Sequence, residues 1–289
     1  MTGSFSGAAR SQRLSLAAIS RQVTSLETEL GATLLVRTTR SLQLTEEGRR
    51  FHEHATRLVR DEDDARASVR SNGAVGGRVV VSSSVSLGLL RIVPTLAPLL
   101  GAHPALELEL RLEDRAADLV SEGVDVAVRA GLALPDTTSL VAQRLAVFER
   151  FVVASPAYLR KNGAPRSVAA LASHAAVLGS NSDGTWRFTE DGEARTVSVT
   201  GALRTGTLVA IRAAVVAGLG IAVLPDFVVH ADLVDRSLRV LVPGARLAPV
   251  TAHALYRGEM RGARRIETVV EHLREKMPLS AAVPQSRAR

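Results

Sequence analysis

The sequence predicts an α/β protein that begins with a winged helix-turn-helix, continues through one long helix and ends in a larger α/β region. Three observations predict this architecture. An amphipathic segment precedes two short apolar strands around a basic turn, an uninterrupted helical pattern covers residues 46–70, and strand and helix patterns then alternate to residue 277. Such alternation is typical of α/β proteins, and we expect largely parallel strand pairing.

Composition and charge limit the class of protein. At 289 residues the chain is long enough for two or three domains, and 46% hydrophobic residues provide a core. The absence of cysteine excludes disulfides and thiolate metal sites.

No uninterrupted apolar run reaches the ~18 residues that cross a bilayer, so no membrane partner is predicted. The net charge of +7 suits a polyanion, but genomic base composition also produces arginine-rich chains, so the charge alone is weak evidence for nucleic-acid binding.

The spacing of apolar residues over 15–30 predicts the amphipathic helix, which ends at Gly31. The second helix of a helix-turn-helix places its N-terminal residues in the major groove, where a guanidinium such as that of Arg21 can bond guanine bidentately. Ser20 and Thr24 could hold phosphates or bases. The residues predicted to pack inward are Ala18, Ile19, Val23, Leu26 and Leu30. The DNA-binding candidates on this helix are Ser15, Ala17, Ser20, Arg21 and Thr24.

The basic turn between the two short strands is the predicted wing. It consists of Arg37, Thr38, Thr39 and Arg40, which would contact mostly phosphate or the minor groove. The alternative is an ordinary amphipathic helix followed by a β-hairpin with a solvated basic turn. The pattern alone leaves both interpretations open.

The pattern of residues 46–70 predicts one long helix. Thr45 can cap it, and the negative charges of Glu46 and Glu47 interact favourably with its positive N-terminal end. Phe51, Leu58 and Ala65 recur every seven residues, a pattern typical of a helix packed on another helix. The helix could pair with a second chain or lie on its own domain, and the period does not decide between them.

A small-residue hinge over residues 71–77 predicts a domain boundary before the α/β region. Residues 278–289 predict a disordered tail. The predicted strands are 78–83, 106–112, 125–129, 147–154, 196–203, 220–224, 238–242 and 250–255. The predicted helices are 87–100, 118–122, 157–161, 168–172, 207–217 and 261–276.

Two hydroxyl-rich segments each follow a strand and open a helix, at residues 82–86 and 205–207. Helix N-termini present unpaired N–H groups, so each segment could hold an anionic group such as a carboxylate. Arg129 could supply a counter-charge, or could pair with a neighbouring acid. The hydroxyls could equally be plain N-caps. The ligand-binding candidates are Ser84, Ser86, Arg129, Thr205 and Thr207.

Nothing in the sequence assembles an enzyme, so no catalytic residue, metal or cofactor is predicted. His52-Glu53-His54 lacks the spacing that puts two histidines on one helical face. Gly218-Leu219-Gly220 lacks a third glycine and precedes a strand, so it predicts a turn and not a dinucleotide-binding loop.

The chain resembles the LysR-type transcriptional regulators over nearly its whole length. In the N-terminal region the resemblance rests on GSFS, AAR, the spacing SRQ–LE–LG, RTTR and LTEEG. Later in the chain it rests on EDRAADLVSEGVDVAVRAG, ASPAYL and AGLGIAVLPDFVV. The order of these segments matches the family.

The resemblance implies a cytoplasmic regulator that binds double-stranded promoter DNA as a homodimer or homotetramer, with binding modulated by a small organic effector such as a carboxylate. It divides the chain into a DNA-binding domain (1–45), a dimerisation helix (46–70) and an effector domain (78–277). That domain would have two subdomains like a type 2 periplasmic binding protein, the first formed by 78–147 with 252–277 and the second by 148–251. The effector would lie in the cleft between them.

Two departures from the family pattern affect the N-terminal region. The family normally has a helix of roughly 15 residues before GSFS, where this sequence has Met1 and Thr2, so we expect an incomplete DNA-binding domain. Gln12, Arg13 and Leu16 also differ from the usual residues, and Leu16 replaces a polar residue that often reaches DNA. The alternative function is a soluble small-molecule binding protein whose truncated DNA-binding head does not function.

Overall fold

The computed structural model describes residues 5–37, 42–70, 75–115, 119, 122–131 and 139–277. The chain forms two compact units, Met1–Arg70 and Ser71–Arg289. Each unit is described by itself below.

The first unit contains a helix-turn-helix and a two-stranded antiparallel wing. Ser15 caps the second helix by accepting the Ala18 N–H, and Gly31, with φ of 63°, ends it. Thr45 accepts the Gly48 N–H at 2.8 Å and thereby begins the long helix, as predicted. The elements are α1 (Phe5–Gln12), α2 (Leu16–Leu30), β1 (Leu35–Arg37), β2 (Leu42–Leu44) and α3 (Glu46–Arg70).

The first subdomain of the second unit is built on a five-stranded sheet. Its strands, in order across the sheet, are β4 (Ala105–Leu112), β3 (Gly76–Ser83), β5 (Val126–Ala130), β15 (Val250–Arg257) and β6 (Leu140–Phe148). β3 is parallel to β4 and β5, whereas β15 is antiparallel to β5 and β6. A helical stretch follows β3 and comprises α4 (Val85–Leu87), a π-helical turn (Gly88–Ile92), a 3-10 turn (Val93–Thr95) and α5 (Leu96–Ala102). The helix α9 (Arg264–Lys276) follows β15.

The second subdomain lies between β6 and β15 in the sequence and contains three small sheets. The strands are β7 (Arg150–Ala154), β8 (Ala175–Gly179), β9 (Thr185–Glu190), β10 (Glu193–Ser198), β11 (Thr200–Thr205), β12 (Ala222–Pro225), β13 (Arg239–Leu241) and β14 (Arg246–Leu247). The helices are α6 (Pro156–Asn162), a 3-10 helix (Ala169–Ser173), α7 (Leu208–Val216) and α8 (Asp226–Val234). The main hydrophobic core includes Phe148, Ile211, Leu224 and Ile266, which come from both subdomains.

The expectation of largely parallel pairing is wrong. β7, β9 and β15 all pair antiparallel with their neighbours, while only the β3 pairs and the β8–β11 pair are parallel among the described strands. The chain crosses between subdomains at β6–β7 and at β14–β15, and it does so without intervening helices. Two adjacent strands can pair in parallel only across a long connection, whereas β9 and β10 are joined by a two-residue turn and must pair antiparallel.

Several predicted elements differ from those observed. Residues 196–203 form two strands where one was predicted, and β6, β8, β9 and α8 were not predicted over most of their length. The hinge predicted over residues 71–77 overlaps β3, which begins at Gly76. A Cβ added at Gly76 would lie 2.9 Å from the Cβ of Ala105. A side chain at Gly76 would therefore disturb the β3–β4 pairing. The tail at 278–289 and most of the predicted helix 118–122 lie outside the described residues.

One helical stretch among the described residues, Val85–Ala102, is long and apolar enough to cross a membrane by length and composition alone. This stretch is not an uninterrupted apolar run, so the sequence pattern did not predict it as a candidate. A core helix passes the same test, and Leu87, Ile92 and Leu99 within this stretch are buried in the hydrophobic core.

Candidate functional site

The outer face of α2 presents most of the predicted DNA-binding residues to solvent. Ala17, Arg21 and Thr24 are exposed, while Ser20 is half-buried. The Arg21 Nε–H donates to the Ala17 carbonyl at 3.4 Å, so the side chain lies along its own helix. The Ser15 hydroxyl caps the same helix. These exposed residues share one helical face, as the sequence predicted.

The inward face of α2 is smaller than predicted. Ile19 is buried and Val23 and Leu26 are half-buried, but Leu30 is 43% exposed. The prediction that Leu30 packs inward is therefore wrong, because the helix ends there at Gly31 and the chain turns away. Leu16 is 53% exposed at the start of the helix.

Glu27 connects α2 to the wing, a role that the sequence analysis missed. Its Oε1 accepts the N–H groups of Leu34 and Leu35 at 2.7 and 3.0 Å. One carboxylate thus fixes the position at which β1 begins relative to the helix. Arg37 lies in β1 and its side chain is outside the described residues, as are Thr38, Thr39 and Arg40 entirely.

Ser86 and Thr207 bring the two subdomains into contact. The Ser86 Oγ lies 3.2 Å from the Thr207 Oγ1 and accepts the Val209 N–H at 3.1 Å. Ser86 is buried in the first subdomain, yet it caps α7 of the second subdomain. Thr207 is the N-cap residue of α7 but makes no capping bond with its own side chain. Two hydroxyls predicted as ligand candidates therefore bond to each other across the boundary between the subdomains.

The N-terminus of α4 is also occupied by a group of the protein itself. The Asp114 carboxylate accepts the Val85 N–H at 3.2 Å, whereas the Ser84 hydroxyl makes no capping bond. Asp114 was missed because it lies 29 residues from its partner in the sequence. Thr205 ends β11 and is half-buried. An anionic ligand would have to replace these internal acceptors.

Arg129 is buried and bonds to the protein. Its guanidinium donates to the Ser82 Oγ at 2.8 Å and to the Val128 carbonyl at 3.1 Å. Burial lowers the pKa of Arg129, while the nearby acids Asp114, Glu113 and Glu122 act in the opposite direction. Among the described residues the Arg129 guanidinium donates to a hydroxyl and to backbone carbonyls, and it forms no ion pair with an acid and no hydrogen bond with Ser86 or Thr207. The structure therefore shows neither the predicted pairing of Arg129 with a neighbouring acid nor a contact with the other ligand-binding candidates.

A buried carboxylate at the start of α8 binds the residue that joins β6 to β7. Asp226 accepts the N–H groups of Phe227 at 2.6 Å and Glu149 at 3.3 Å, and its own N–H donates to the Glu149 carbonyl. Burial raises the pKa of Asp226. No sequence motif marks this residue. In the described part of the chain, no three His, Asp or Glu side chains cluster closely enough to hold a metal ion.

Comparison with known proteins assigns both regions to one family. Residues 1–49 match the family described as bacterial regulatory helix-turn-helix protein, lysR family, and residues 72–278 match the LysR substrate binding domain. The regulator PtxR of Pseudomonas aeruginosa is 31% identical over 279 residues, covering 95% of this chain and 88% of that protein. The regulator CrgA of Neisseria meningitidis is 33% identical over 242 residues, covering 82% and 79%.

Solved structures show the same two-part architecture. The CrgA structure superposes with a TM-score of 0.65 at 28% identity, covering 96% of this chain and 94% of that one. The full-length virulence activator AphB of Vibrio cholerae superposes with a TM-score of 0.63 at 26% identity, covering 96% and 95%. These relatives are named as transcriptional regulators, which does not favour the alternative of a binding protein with a non-functional head. The chain therefore belongs to the LysR family of helix-turn-helix transcriptional regulators.

Proposed function

We propose that the chain regulates transcription by binding promoter DNA through α2 and the wing, in the cytoplasm and without catalysing a reaction. The observation that carries this proposal is the shared outer face of Ala17, Arg21 and Thr24 on a helix whose domain matches a DNA-binding family. An arginine on such a face can bond a base edge, and the neighbouring threonine can hold phosphate. Residues 1–45 would supply this function.

The long helix supports assembly into a homodimer or homotetramer. Leu58 is 70% exposed on α3 and lies on the seven-residue repeat. Large apolar side chains on such a repeat are normally covered by a second helix. Pairing over residues 46–70 would place two copies of α2 near half-sites about 34 Å apart on the duplex.

The effector domain would couple a small organic ligand to this assembly. The ligand would bind between the two subdomains near Ser84, Ser86, Arg129, Thr205 and Thr207, within residues 78–277. A carboxylate could replace the Ser86 hydroxyl as acceptor for the Val209 N–H, which would separate Ser86 from Thr207. Such a ligand shifts the equilibrium only if it binds one arrangement of the subdomains more tightly than the other.

Footprinting of the DNA upstream of the gene tests the DNA-binding proposal, and a thermal-shift screen of small carboxylates tests the effector proposal. We expect two protected half-sites, and at least one carboxylate that stabilises the protein and changes the footprint. Uniform protection of upstream and unrelated DNA would contradict the first proposal. Identical stabilisation of the wild type and Ser86→Ala by every active carboxylate would contradict the second.

A further inference from the structure

A recess of about 730 Å³ opens on the first subdomain, away from the residues assigned to the effector cleft. Residues of α5, β6, β15 and α9 line it, and none of them belongs to the predicted DNA-binding or ligand-binding sets. The α5 wall is apolar and consists of Pro98, Leu99 and Ala102. A bond of 2.8 Å between the His272 Nε2 and the Thr95 carbonyl holds α9 to the turn before α5. This bond joins the two helical segments that form opposite walls of the recess.

Tyr256 lines this recess and is the observation that points to a ligand. Its side chain is only 6% exposed, yet its hydroxyl makes no hydrogen bond with any residue that the structure describes. The hydroxyl oxygen is not among the enclosed side-chain atoms that lack a hydrogen-bond partner, so it reaches the open space of the recess while the rest of the residue is buried. A phenol that lines a cavity and lacks a protein partner can both donate to and accept from a bound molecule.

The α9 wall is acidic. Glu267, Glu271 and Glu275 are spaced four residues apart, so they project from the same face of the helix into the recess. Lys276 is the single Lys or Arg among the lining residues, so the lining carries a formal charge of −2 when histidines are counted as neutral.

These carboxylates retain capacity to bind a ligand. Glu267 accepts the Gly262 N–H at 3.1 Å, and Glu271 pairs with Arg274 at 2.5 Å. Glu275 accepts no hydrogen bond from the described residues. An ionised carboxylate has about four acceptor positions, so all three can accept further donors.

We propose that this recess binds a small organic cation, namely a primary amine or guanidinium attached to a short hydrocarbon chain. The cationic group would bond to Glu271 and Glu275, and the hydrocarbon would lie on Pro98 and Ala102. A second polar group of the ligand would bond to the Tyr256 hydroxyl. The negative charge of the lining disfavours carboxylates, so this ligand class differs from that expected in the cleft.

Calorimetric titration of the full chain with cadaverine tests the proposal, with hexanoate as an anion of similar length. Tyr256→Phe removes the hydroxyl and keeps the ring, and Glu275→Gln removes one charge. Glu193→Gln on β10, far along the chain and outside the recess, is the matched control. Thermal denaturation of each variant establishes that it is folded.

We expect cadaverine to bind the wild type and Glu193→Gln equally, and each recess variant about tenfold more weakly, as expected for the loss of one hydrogen bond to a charged or buried group. Hexanoate should not bind in the recess. The proposal is overturned if cadaverine does not bind at millimolar concentration, if either recess variant keeps wild-type affinity, or if hexanoate binding responds to the same two substitutions.

Discussion

The Ser86 Oγ and the Thr207 Oγ1 lie 3.2 Å apart, although the two residues are 121 positions apart in the sequence and belong to different subdomains. The same Ser86 oxygen accepts the Val209 N–H at the start of α7. A helix of the second subdomain therefore depends on a cap from the first. Any ligand that competes for this cap changes a contact between the subdomains.

Removing this cap should destabilise the second unit. Ser86→Ala leaves the N–H of Val209 without its acceptor, which costs about 1 kcal/mol and lowers the Tm by about 2–4 °C. Ser84→Ala is the matched control, since the Ser84 hydroxyl makes no capping bond. Thermal denaturation followed by circular dichroism measures both. Equal shifts in the two variants would show that the Ser86 bond contributes nothing specific.

Glu27 should stabilise the wing locally. Glu27→Ala removes the acceptor of the Leu34 and Leu35 N–H groups, and each orphaned half-buried donor costs about 1 kcal/mol or more. Hydrogen exchange of these two amides should then accelerate by about fivefold or more. Glu29→Ala removes an exposed acid two residues away and should leave both exchange rates unchanged. Unchanged rates in Glu27→Ala would contradict this assignment.

Leu58 should support assembly through α3. Leu58→Asp places a charge on the seven-residue repeat and should convert the assembly to a smaller species, which sedimentation velocity detects. Val59→Asp alters a side chain of similar exposure that lies off the repeat, and it should keep the wild-type mass. Neither side chain is buried in the chain itself, so both variants should fold. If the two variants sediment alike, the repeat does not mediate pairing.

Asp226 should make stability depend on pH. Burial raises its pKa above the ordinary value of 3.8, so the folded state holds this proton more tightly than the unfolded state. The contribution of Asp226 to stability is therefore fully present below its ordinary pKa and is lost as pH rises through the raised pKa of the folded state. The free energy of unfolding of the wild type minus that of Asp226→Asn should fall with rising pH in urea titrations. A difference that is constant or grows with pH would contradict the raised pKa.

The sequence predicted local features better than distant contacts. The helix of residues 15–30 with its Ser15 cap, and the long helix capped by Thr45, are marked by capping residues and apolar periodicity within a few positions. Both appear where predicted. By contrast, the buried residues of α8 include the consecutive Phe227, Val228 and Val229 as well as Asp232. This helix therefore lacks the alternation of an apolar and a polar face that predicts a helix from the sequence.

The site contacts depend on tertiary structure and have no local signal. Asp114 reaches Val85 and Asp226 reaches Glu149, each through a fold that brings distant backbone together. The serines and threonines of the predicted cleft were singled out because they precede helices. The pairing of Ser86 with Thr207 could not be predicted, because it requires the relative position of two subdomains. Their role in ligand binding stays a prediction.

The most direct test of the account is the affinity of the full chain for DNA upstream of its gene, measured for the wild type, Arg21→Ala and Arg21→Lys at several salt concentrations. We predict that the wild type prefers this DNA over a scrambled duplex and that its affinity falls steeply with salt. Both variants should lose about 1–3 kcal/mol of this preference, because lysine keeps the charge but not the bidentate bonding of arginine. Wild-type affinity and preference in Arg21→Ala would contradict the claim that α2 reads DNA.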